Sequence, residues 1–509
     1  MSSFVCQVTP TDRDSALYAR ITDAHQRLAK KDPTIWGPDA VAEATIRLNW
    51  VDLPEKSREL LPVLDALAAK HRDKKYVVLA GMGGSSLGPE VIAQTYGKDL
   101  FILDSTDPHY VENALAGNLS ETFVIVSSKS GSTIETASAR AFFAREFEKA
   151  GLSLSDHIVI VTDPGSPLDK ESRAQGLTVI NADPNVGGRF SVLSAFGLVP
   201  SALIGVDISI LLDRASDAKR DFLSNSQPII DCAYVIATAG QYLTFTDENS
   251  GMPGLSDWIE QLVAESTGKN QVGRLPVVVE NAQEGNEGNP LRISFTDNAD
   301  CVVSGDLGAQ FITWEWLTTL VGAALEIDPF NQPNVTEAKE QTSTLLNEWS
   351  GKLPVFTASA IDKSIGIFGA GNSVIESLKE FISRIPEHGY IAIMAYLDRA
   401  DDGAITELRK ILAHQTNRPV TFGWGPRFLH STGQFHKGGQ RNGAFLQITG
   451  ACTIDFEIPG KNFGFETLLM AQALGDGRAL ESRSYPLLRL HLIDREHGIG
   501  ELLEAARQL

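Results

Sequence analysis

The sequence predicts an α/β protein that contains several doubly wound parallel sheets. Short runs of β-branched residues alternate with segments of helical periodicity over residues 76–183, which is typical of a parallel sheet covered by helices on both faces. The same alternation starts again beyond about residue 351 and continues to the C-terminus. A chain of 509 residues is also too long for one ordinary domain, so two or three are expected.

The composition predicts a soluble globular protein that binds neither nucleic acid nor a membrane. Hydrophobic residues make up 43% of the chain, the mean hydropathy is −0.07, and no run is long and apolar enough to span a bilayer. The formal net charge is −20, from 64 acidic and 44 basic residues, and no basic block stands out. An anionic substrate would therefore need a local cluster of cations.

The cysteines and the first residues predict a cytoplasmic protein without a metal site. The cysteines are scattered and lack the spacing of metal ligands, so they are interpreted as reduced core residues. The N-terminus has no basic region followed by an apolar one, so no signal peptide is expected.

On this pattern the chain divides into four parts. An N-terminal helical segment covers residues 1–50, and a first α/β domain covers 51–204. A second α/β domain covers 205–350, and a C-terminal α/β domain covers 351–509. The strands predicted in the first domain are 76–80, 101–104, 123–126, 157–163 and 178–183.

The loop after the third predicted strand has the chemistry of a phosphate site. Backbone N–H groups at a helix N-terminus attract an anion, and the helix dipole adds to this attraction. Ser132 and Glu135 have the spacing of a capping box, which predicts a helix start near Ser132 or Thr133. The alternative is an ordinary serine-rich turn. The loop residues that could contact a phosphate are Ser128, Lys129, Ser130, Gly131, Ser132 and Thr133.

The glycine-rich loop 81–88 follows the first strand of this domain and has three interpretations. It resembles a dinucleotide-binding fingerprint, with Asp104 about 20 residues on as a ribose ligand. The third glycine of that fingerprint is replaced by Ser86, which weakens this interpretation. A plain turn is the second possibility. We favour the third, a second sugar-phosphate loop, because a hydroxyl-rich loop follows on a neighbouring strand.

Two charged residues further along the chain are candidates for chemistry. Arg189 follows two glycines, which allow a close backbone approach, although a surface arginine in a turn is the commoner case. The segments 231–245 and 255–265 are predicted to be helices, and the second ends at Glu265. Gln261 lies four residues before it and so shares its helix face. Glu265 could transfer a proton or could be a solvated helix-end acid.

Five motifs, in this order along the chain, resemble the glucose-6-phosphate isomerase family. Together they cover roughly residues 76 to 340. The resemblance is closest to the isomerase half of bacterial transaldolase–isomerase fusions. The roughly 75 residues before the first predicted strand are too few for a transaldolase barrel of ~250 residues. The motifs are Gly-Met-Gly-Gly-Ser-Ser-Leu-Gly-Pro, Ser-Lys-Ser-Gly-Ser-Thr-Ile-Glu-Thr, Gly-Gly-Arg-Phe-Ser, Glu-Ser-Thr-Gly-Lys and Asp-Pro-Phe-Asn-Gln-Pro-Asn-Val-Thr-Glu-Ala-Lys.

The resemblance implies two SIS-type, flavodoxin-like domains, a homodimer, and interconversion of glucose 6-phosphate and fructose 6-phosphate without metal or cofactor. Glu265 matches the base that moves a proton between C2 and C1 through an enediolate, and Arg189 matches the cation beside it. Lys339 matches a residue near the ring end of the sugar. Residues that match substrate contacts are Gly84, Ser85, Ser128, Lys129, Ser130, Gly131, Ser132, Thr133, Thr136, Gln261 and Gln332.

One departure from the family concerns the histidine that opens the sugar ring. It usually lies between the catalytic glutamate and the long apolar helix, but residues 266–308 contain no histidine. The segment Leu-His-Ser-Thr-Gly-Gln around His430 resembles the segment that carries this histidine in some bacterial isomerases. We therefore expect His430 to open the ring, with His436 as the second candidate. Ring opening by Lys339 alone, and a structural role for both histidines, are the alternatives.

Three functions follow from these patterns. The favoured function is an active isomerase, because Glu265, Arg189 and Lys339 are all present and a protein that only senses a sugar phosphate could do without the base. A non-catalytic sugar-phosphate-binding protein is the second. A nucleotide-dependent oxidoreductase is the third, and Ser86 argues against it. Acceptance of mannose 6-phosphate and the role of the C-terminal domain are left open.

Overall fold

The computed structural model describes residues 4–9, 12–296 and 299–509. Within these ranges the β-strands form three separate sheets, each with helices around it. The strands are β1 Phe4–Val8, β2 Tyr76–Gly81, β3 Phe101–Leu103, β4 Thr122–Ser127, β5 Ile158–Thr162, β6 Thr178–Asn181, β7 Tyr242–Phe245, β8 Leu275–Val278, β9 Leu291–Ser294, β10 Cys301–Gly305, β11 Ala360–Asp362, β12 Ile365–Phe368, β13 Tyr390–Tyr396, β14 Val420–Trp424, β15 Gly443–Gly450 and β16 Leu487–Leu492.

The helices of these same ranges vary from a single turn to five turns. None of them is both long and apolar enough to cross a bilayer. They are α1 Ala16–Leu28, α2 Val41–Thr45, α3 Leu53–Lys56, α4 Leu61–Lys70, α5 Leu87–Thr95, α6 Pro108–Asn113, α7 Ile134–Lys149, α8 Leu154–His157, α9 Pro167–Ala174, α10 Ala195–Leu203, α11 Ile208–Ser224, α12 Gln227–Thr238, α13 Leu255–Thr267, α14 Leu307–Ala324, α15 Val335–Glu348, α16 Val374–Ser383, α17 Glu407–Thr416, α18 Gly433–Gly438, α19 Phe465–Glu481 and α20 Arg495–Arg507.

The first sheet has the strand order β3-β2-β4-β5-β6, and every pair in it is parallel. After β2 the chain forms β3 at one edge of the sheet, and then β4, β5 and β6 on the other side of β2. Ligands of such sheets bind in the crevice outside the carboxyl ends of the strands where this reversal occurs. The loops 81–88 and 128–133 follow β2 and β4, so both flank this crevice.

The second sheet has the order β1-β10-β9-β7-β8, with β1 antiparallel to its neighbour and the rest parallel. Two sequence expectations are corrected here. The N-terminal segment, predicted to be helical, contributes the strand Phe4–Val8, which is stabilised by pairing with β10. The predicted helix 231–245 ends at Thr238, and Tyr242–Phe245 is a fully buried strand. Short apolar runs fit both structures, and long-range pairing decides between them.

The third sheet has the order β11-β12-β16-β15-β13-β14. Strands β13 to β16 are parallel, while β11 and β12 pair antiparallel at one edge. Its parallel part therefore repeats the order seen in the other two sheets, in which the first strand lies between the second and the third. The α/β class predicted from the sequence is confirmed.

The C-terminal domain packs against both other domains. Leu468 of α19 and Leu345 of α15 share an apolar cluster with the outer face of the first sheet. Tyr390 and Phe435 share another with Leu275 of the second sheet. These contacts hold the short 3₁₀ turn Arg427–His430 and α18 against the crevice between the first two domains.

Candidate active site

Two glycines bring the loop after β2 into contact with the rest of the site. Gly83 has a φ of 55°, and a Cβ placed there would lie 2.7 Å from the carbonyl oxygen of His430 and 2.8 Å from Nε2 of Gln261. A Cβ on Gly84 would collide with the backbone of Gly188. Only glycine permits such close approach at these two positions. The loop therefore touches α13, the arginine loop and the His430 turn at once.

A buried ion pair lies next to this loop. Nη1 of Arg189 is 2.9 Å from Oε1 of Glu265, and the two side chains are 3% and 11% exposed. Glu265 is in the last turn of α13, and Arg189 is in the 3₁₀ turn Gly188–Phe190. The site thus contains a carboxylate and a permanent cation in direct contact, largely shielded from water.

The guanidinium of Arg189 is fixed by further hydrogen bonds. Nε donates to Oγ of Ser266 at 2.8 Å, and Nη1 donates to Oε1 of Gln332 at 3.0 Å. Nη2 donates to the backbone carbonyls of Pro329 and Asn331 at 2.6 and 3.1 Å. Such a fork, held on every side, keeps its charge in one place.

Gln261 connects Glu265 to the C-terminal domain. Its Nε2 lies 3.3 Å from Oε2 of Glu265 and donates to the carbonyl oxygen of His430 at 2.7 Å. Its Oε1 is buried and accepts no hydrogen bond from any described residue. The four-residue spacing does place Gln261 and Glu265 on one face of a helix.

His430 forms a dyad with a glutamate of the first domain. Its Nε2 is 3.0 Å from Oε1 of Glu135, and the same oxygen accepts a hydrogen bond of 2.7 Å from Nε2 of Gln472. Gln472 is oriented in turn by Thr106, whose hydroxyl donates to Oε1 of Gln472 at 2.6 Å. Burial acts to raise the pKa of Glu135, but the charge and hydrogen bond of His430 outweigh it and hold that pKa below its ordinary value.

The dyad opens into a cavity of about 170 Å³. Lys339 of α15 lines this cavity and contributes its positive charge to the field at Glu135. Ser132 and Thr133 of the hydroxyl-rich loop line it as well. The cavity therefore brings together residues that lie far apart in the sequence, from Ser132 to Gln472.

The hydroxyl-rich loop has a compact internal structure. Oγ of Ser128 accepts a hydrogen bond from the backbone N–H of Gly131 at 3.1 Å, and the hydroxyls of Ser130 and Ser132 are 2.7 Å apart. The following helix begins at Ile134, with Thr133 at its N-cap. The predicted capping box is wrong, because the Glu135 side chain reaches His430 instead. Ser130 and Ser132 are exposed at the crevice.

Three other predicted contact residues have different surroundings. Lys129 turns to Asp163, with Nζ 2.7 Å from Oδ2, and also donates to the carbonyl of Pro184. Thr136 is buried, and its hydroxyl lacks a hydrogen-bond partner among the described residues. Ser85 is the last residue of a 3₁₀ turn, Gly83–Ser85, inside the glycine-rich loop.

His436 does not line the cavity. It is 4% exposed, and its Nδ1 is 2.9 Å from the hydroxyl of Tyr390. Its ring is also packed against Phe445. Burial lowers the pKa of His436 to about 3. These surroundings are those of a core histidine.

Sequence reasoning missed three residues of this region. Glu135 lies inside one of the motifs quoted above, but its spacing suggested a cap. Gln472 carries no local signal, since it is 337 residues from its partner. Lys269 is buried and donates to the carbonyl of Asp328, and burial together with the charge of Arg189 holds its pKa well below the ordinary value.

Residues 66–270 match the model of the phosphoglucose isomerase family. The matched segment is 205 of the 509 residues of the chain. It contains Gln261 and Glu265, whereas Gln332, Lys339 and His430 lie beyond its end.

Two curated relatives are glucose-6-phosphate isomerases. That of Campylobacter jejuni is 33% identical over 233 residues, which is 42% of this chain and 57% of the relative. That of Citrifermentans bemidjiense is 35% identical over 263 residues, 46% of this chain and 48% of the relative. The match thus spans about half the length of these relatives.

A solved structure of a glucose-6-phosphate isomerase from Chlamydia trachomatis is similar in fold. It superposes with a TM-score of 0.55 over 70% of this chain and 90% of that chain, at 19% identity. This likeness supports the α/β fold class.

Proposed function

We propose that this protein interconverts glucose 6-phosphate and fructose 6-phosphate. The observation that carries the proposal is the buried contact between Glu265 and Arg189 beside Gln261 and the His430 turn. A proton on carbon next to a carbonyl is a poor acid, so its removal needs a placed base and a fixed positive charge. The match of residues 66–270 to the phosphoglucose isomerase family model supports the same activity.

The phosphate would bind at the loop 128–133. Ser130 and Ser132 present exposed hydroxyls, Thr133 lines the cavity, and the loop stands at the N-terminus of α7. The ammonium group of Lys129 is paired with the carboxylate of Asp163. Lys129 would have to leave this ion pair before its charge could contribute to phosphate binding.

Ring opening would use the His430–Glu135 dyad. His430 takes the proton of the O1 hydroxyl as the bond between C1 and the ring oxygen breaks, and the imidazolium then gives that proton to the ring oxygen. Glu135 holds the imidazole in place and stabilises its positive form. Lys339, in the same cavity, would steady the hydroxyls at the ring end of the sugar.

Isomerisation of the open chain would then be the work of Glu265. Its carboxylate takes the proton from C2 of the aldose, and the electrons of that bond form the enediolate. The proton of the C2 hydroxyl passes to O1, and the same carboxylate returns its proton to C1 to give the ketose. Arg189 lies 2.9 Å from Glu265 and stabilises the negative charge that develops on the oxygens.

The test is a coupled assay of fructose 6-phosphate conversion, with no metal or nucleotide added to the isomerisation step. Glu265→Gln should lower kcat by at least about 10²–10⁴-fold, because an amide cannot accept the proton. The exposed Glu59 offers a control, since Glu59→Gln removes the same charge at the surface. Near-normal turnover by Glu265→Gln would contradict the proposal.

A second candidate is a protein that binds the sugar phosphate without converting it. The hydroxyl-rich loop alone favours it, because a loop of this kind suffices for binding. The two candidates separate in one experiment. A wild-type chain that binds fructose 6-phosphate by calorimetry and produces no aldose in the coupled assay is a binding protein.

A further inference from the structure

A second cavity lies in the C-terminal domain, apart from the candidate active site. Its volume is about 220 Å³, and it sits on the face of the third sheet beside the ends of β15 and β16. The irregular segment that contains Pro354 and Phe356 covers it on one side, and Met470 of α19 covers it on another. Val355 between them points outward and is 97% exposed. The segment thus turns alternate side chains toward this cavity.

Arg489 is the permanently charged cation that lines this cavity, and Glu466 is an acid on the same lining. Arg489 is paired in register with Phe368 of the neighbouring strand, and its guanidinium carbon lies 4.2 Å from the centre of the Phe368 ring. Among residues 4–9, 12–296 and 299–509, none forms a hydrogen bond or salt bridge with the side chain of Arg489. Burial lowers the pKa of this half-buried guanidinium, and Glu481 offsets the effect only through its charge. Burial of a cation without a nearby anion raises the free energy of the folded chain, so an anion bound beside Arg489 would be stabilising.

The other polar groups of the cavity are largely occupied. Nδ1 of His491 is 2.9 Å from the hydroxyl of Thr449. The carboxylate of Glu466 accepts a hydrogen bond from the backbone N–H of Cys452. Sγ of Cys452 accepts one from Arg495 at 3.2 Å. The N–H groups of the Arg489 guanidinium are thus available to bind a ligand. Nε2 of His491 lies on the same face of β16 and is a second group that a ligand could contact.

The charges that line the cavity favour an anion with a single negative charge. A planar guanidinium pairs with two oxygens of a carboxylate or of a phosphate, but a phosphate dianion would bring more negative charge close to Glu466, which lines the same cavity. The remaining wall is apolar and includes Pro354, Phe356, Phe368 and Met470. A volume below that of most ligand sites restricts the occupant to a small molecule.

We propose that this cavity binds a small organic monocarboxylate with an apolar body. The carboxylate pairs with Arg489, and the body packs on Phe368 and Met470 under the segment 353–356. The site is separate from the sugar-phosphate site and does not depend on the isomerase proposal.

Calorimetric titration of the full chain with sodium benzoate tests this proposal. The wild type should bind one equivalent, and Arg489→Gln should weaken binding by about tenfold or more, because a charged hydrogen-bond pair is lost. Arg478→Gln is the matched control: Arg478 is exposed and pairs with Glu348 at the surface, so benzoate affinity should not change.

Ala451→Phe gives a second test that keeps Arg489. Ala451 lines the cavity, and a ring placed there should fill it and abolish benzoate binding. Thermal unfolding without ligand shows whether Arg489→Gln and Ala451→Phe are folded. If one of them is not folded, benzoate binding by the other tests the proposal. The proposal is overturned if wild-type chain does not bind benzoate, if folded Arg489→Gln binds it equally well, or if inorganic phosphate displaces it with equal affinity.

Discussion

Replacement of Glu135 by glutamine is the most informative change at the candidate active site. Oε1 of Glu135 lies 3.0 Å from His430 and 2.7 Å from Gln472, and the residue is 8% exposed. The amide keeps the size of the side chain but removes the charge that faces the imidazole. A hydrogen bond to a charged group contributes about 1.5–3 kcal/mol, so ring opening should slow by roughly 10–150-fold.

The assay compares two substrates. Turnover of glucose 6-phosphate, which must be opened first, should fall in Glu135→Gln. Turnover of an aldose phosphate too short to close a ring should be little changed, because Glu265 and Arg189 are intact. A double-mutant cycle adds a second criterion: if Glu135 acts through His430, Glu135→Gln should cost nothing further in a His430→Ala background. Equal slowing of both substrates, or additive losses, would refute this reasoning.

Three further predictions use the same coupled assay or an unfolding measurement. Gly84→Ala should lower kcat/KM by about 10²-fold, because its Cβ collides with Gly188 and displaces the loop, whereas Gly403→Ala, with open space around it, should be silent. Ser130→Ala should raise KM more than it lowers kcat, and equal affinity of the wild type for glucose and its 6-phosphate would contradict the loop assignment. His436→Ala should lower the free energy of unfolding, measured by urea titration, by roughly 2–4 kcal/mol because it leaves a cavity. It should not change the ratio of turnover between the cyclic substrate and the short aldose phosphate.

The pH dependence of stability provides a fifth prediction. The pKa of Glu135 in the folded chain is held below its ordinary value, so its contribution to stability is present above the unfolded pKa, near 4.5. That contribution is lost as pH falls through the folded pKa. The difference in unfolding free energy between wild type and Glu135→Gln should therefore shrink below about pH 4.5. A difference that grows toward acid would show the opposite sign.

The sequence by itself determined the local features of this protein. Strand and helix alternation predicted the parallel sheets, and strand ends predicted which loops meet at the crevice, because parallel strands share one carboxyl edge. The four-residue spacing placed Gln261 and Glu265 on one helix face. These features follow from backbone geometry over a few residues, which the sequence pattern reports directly.

Only the tertiary structure decided which distant residues meet. Phe4–Val8 is a strand because β10 is there to pair with it, and no local pattern contains that partner. Glu135, His430 and Gln472 come from separate parts of the chain and converge only when α19 and the Arg427–His430 turn dock on the first domain. Lys129 is directed to Asp163 by a contact across two loops. Such contacts depend on how the apolar faces of the three domains pack against one another. The spacing of residues over a short stretch of sequence does not predict that packing.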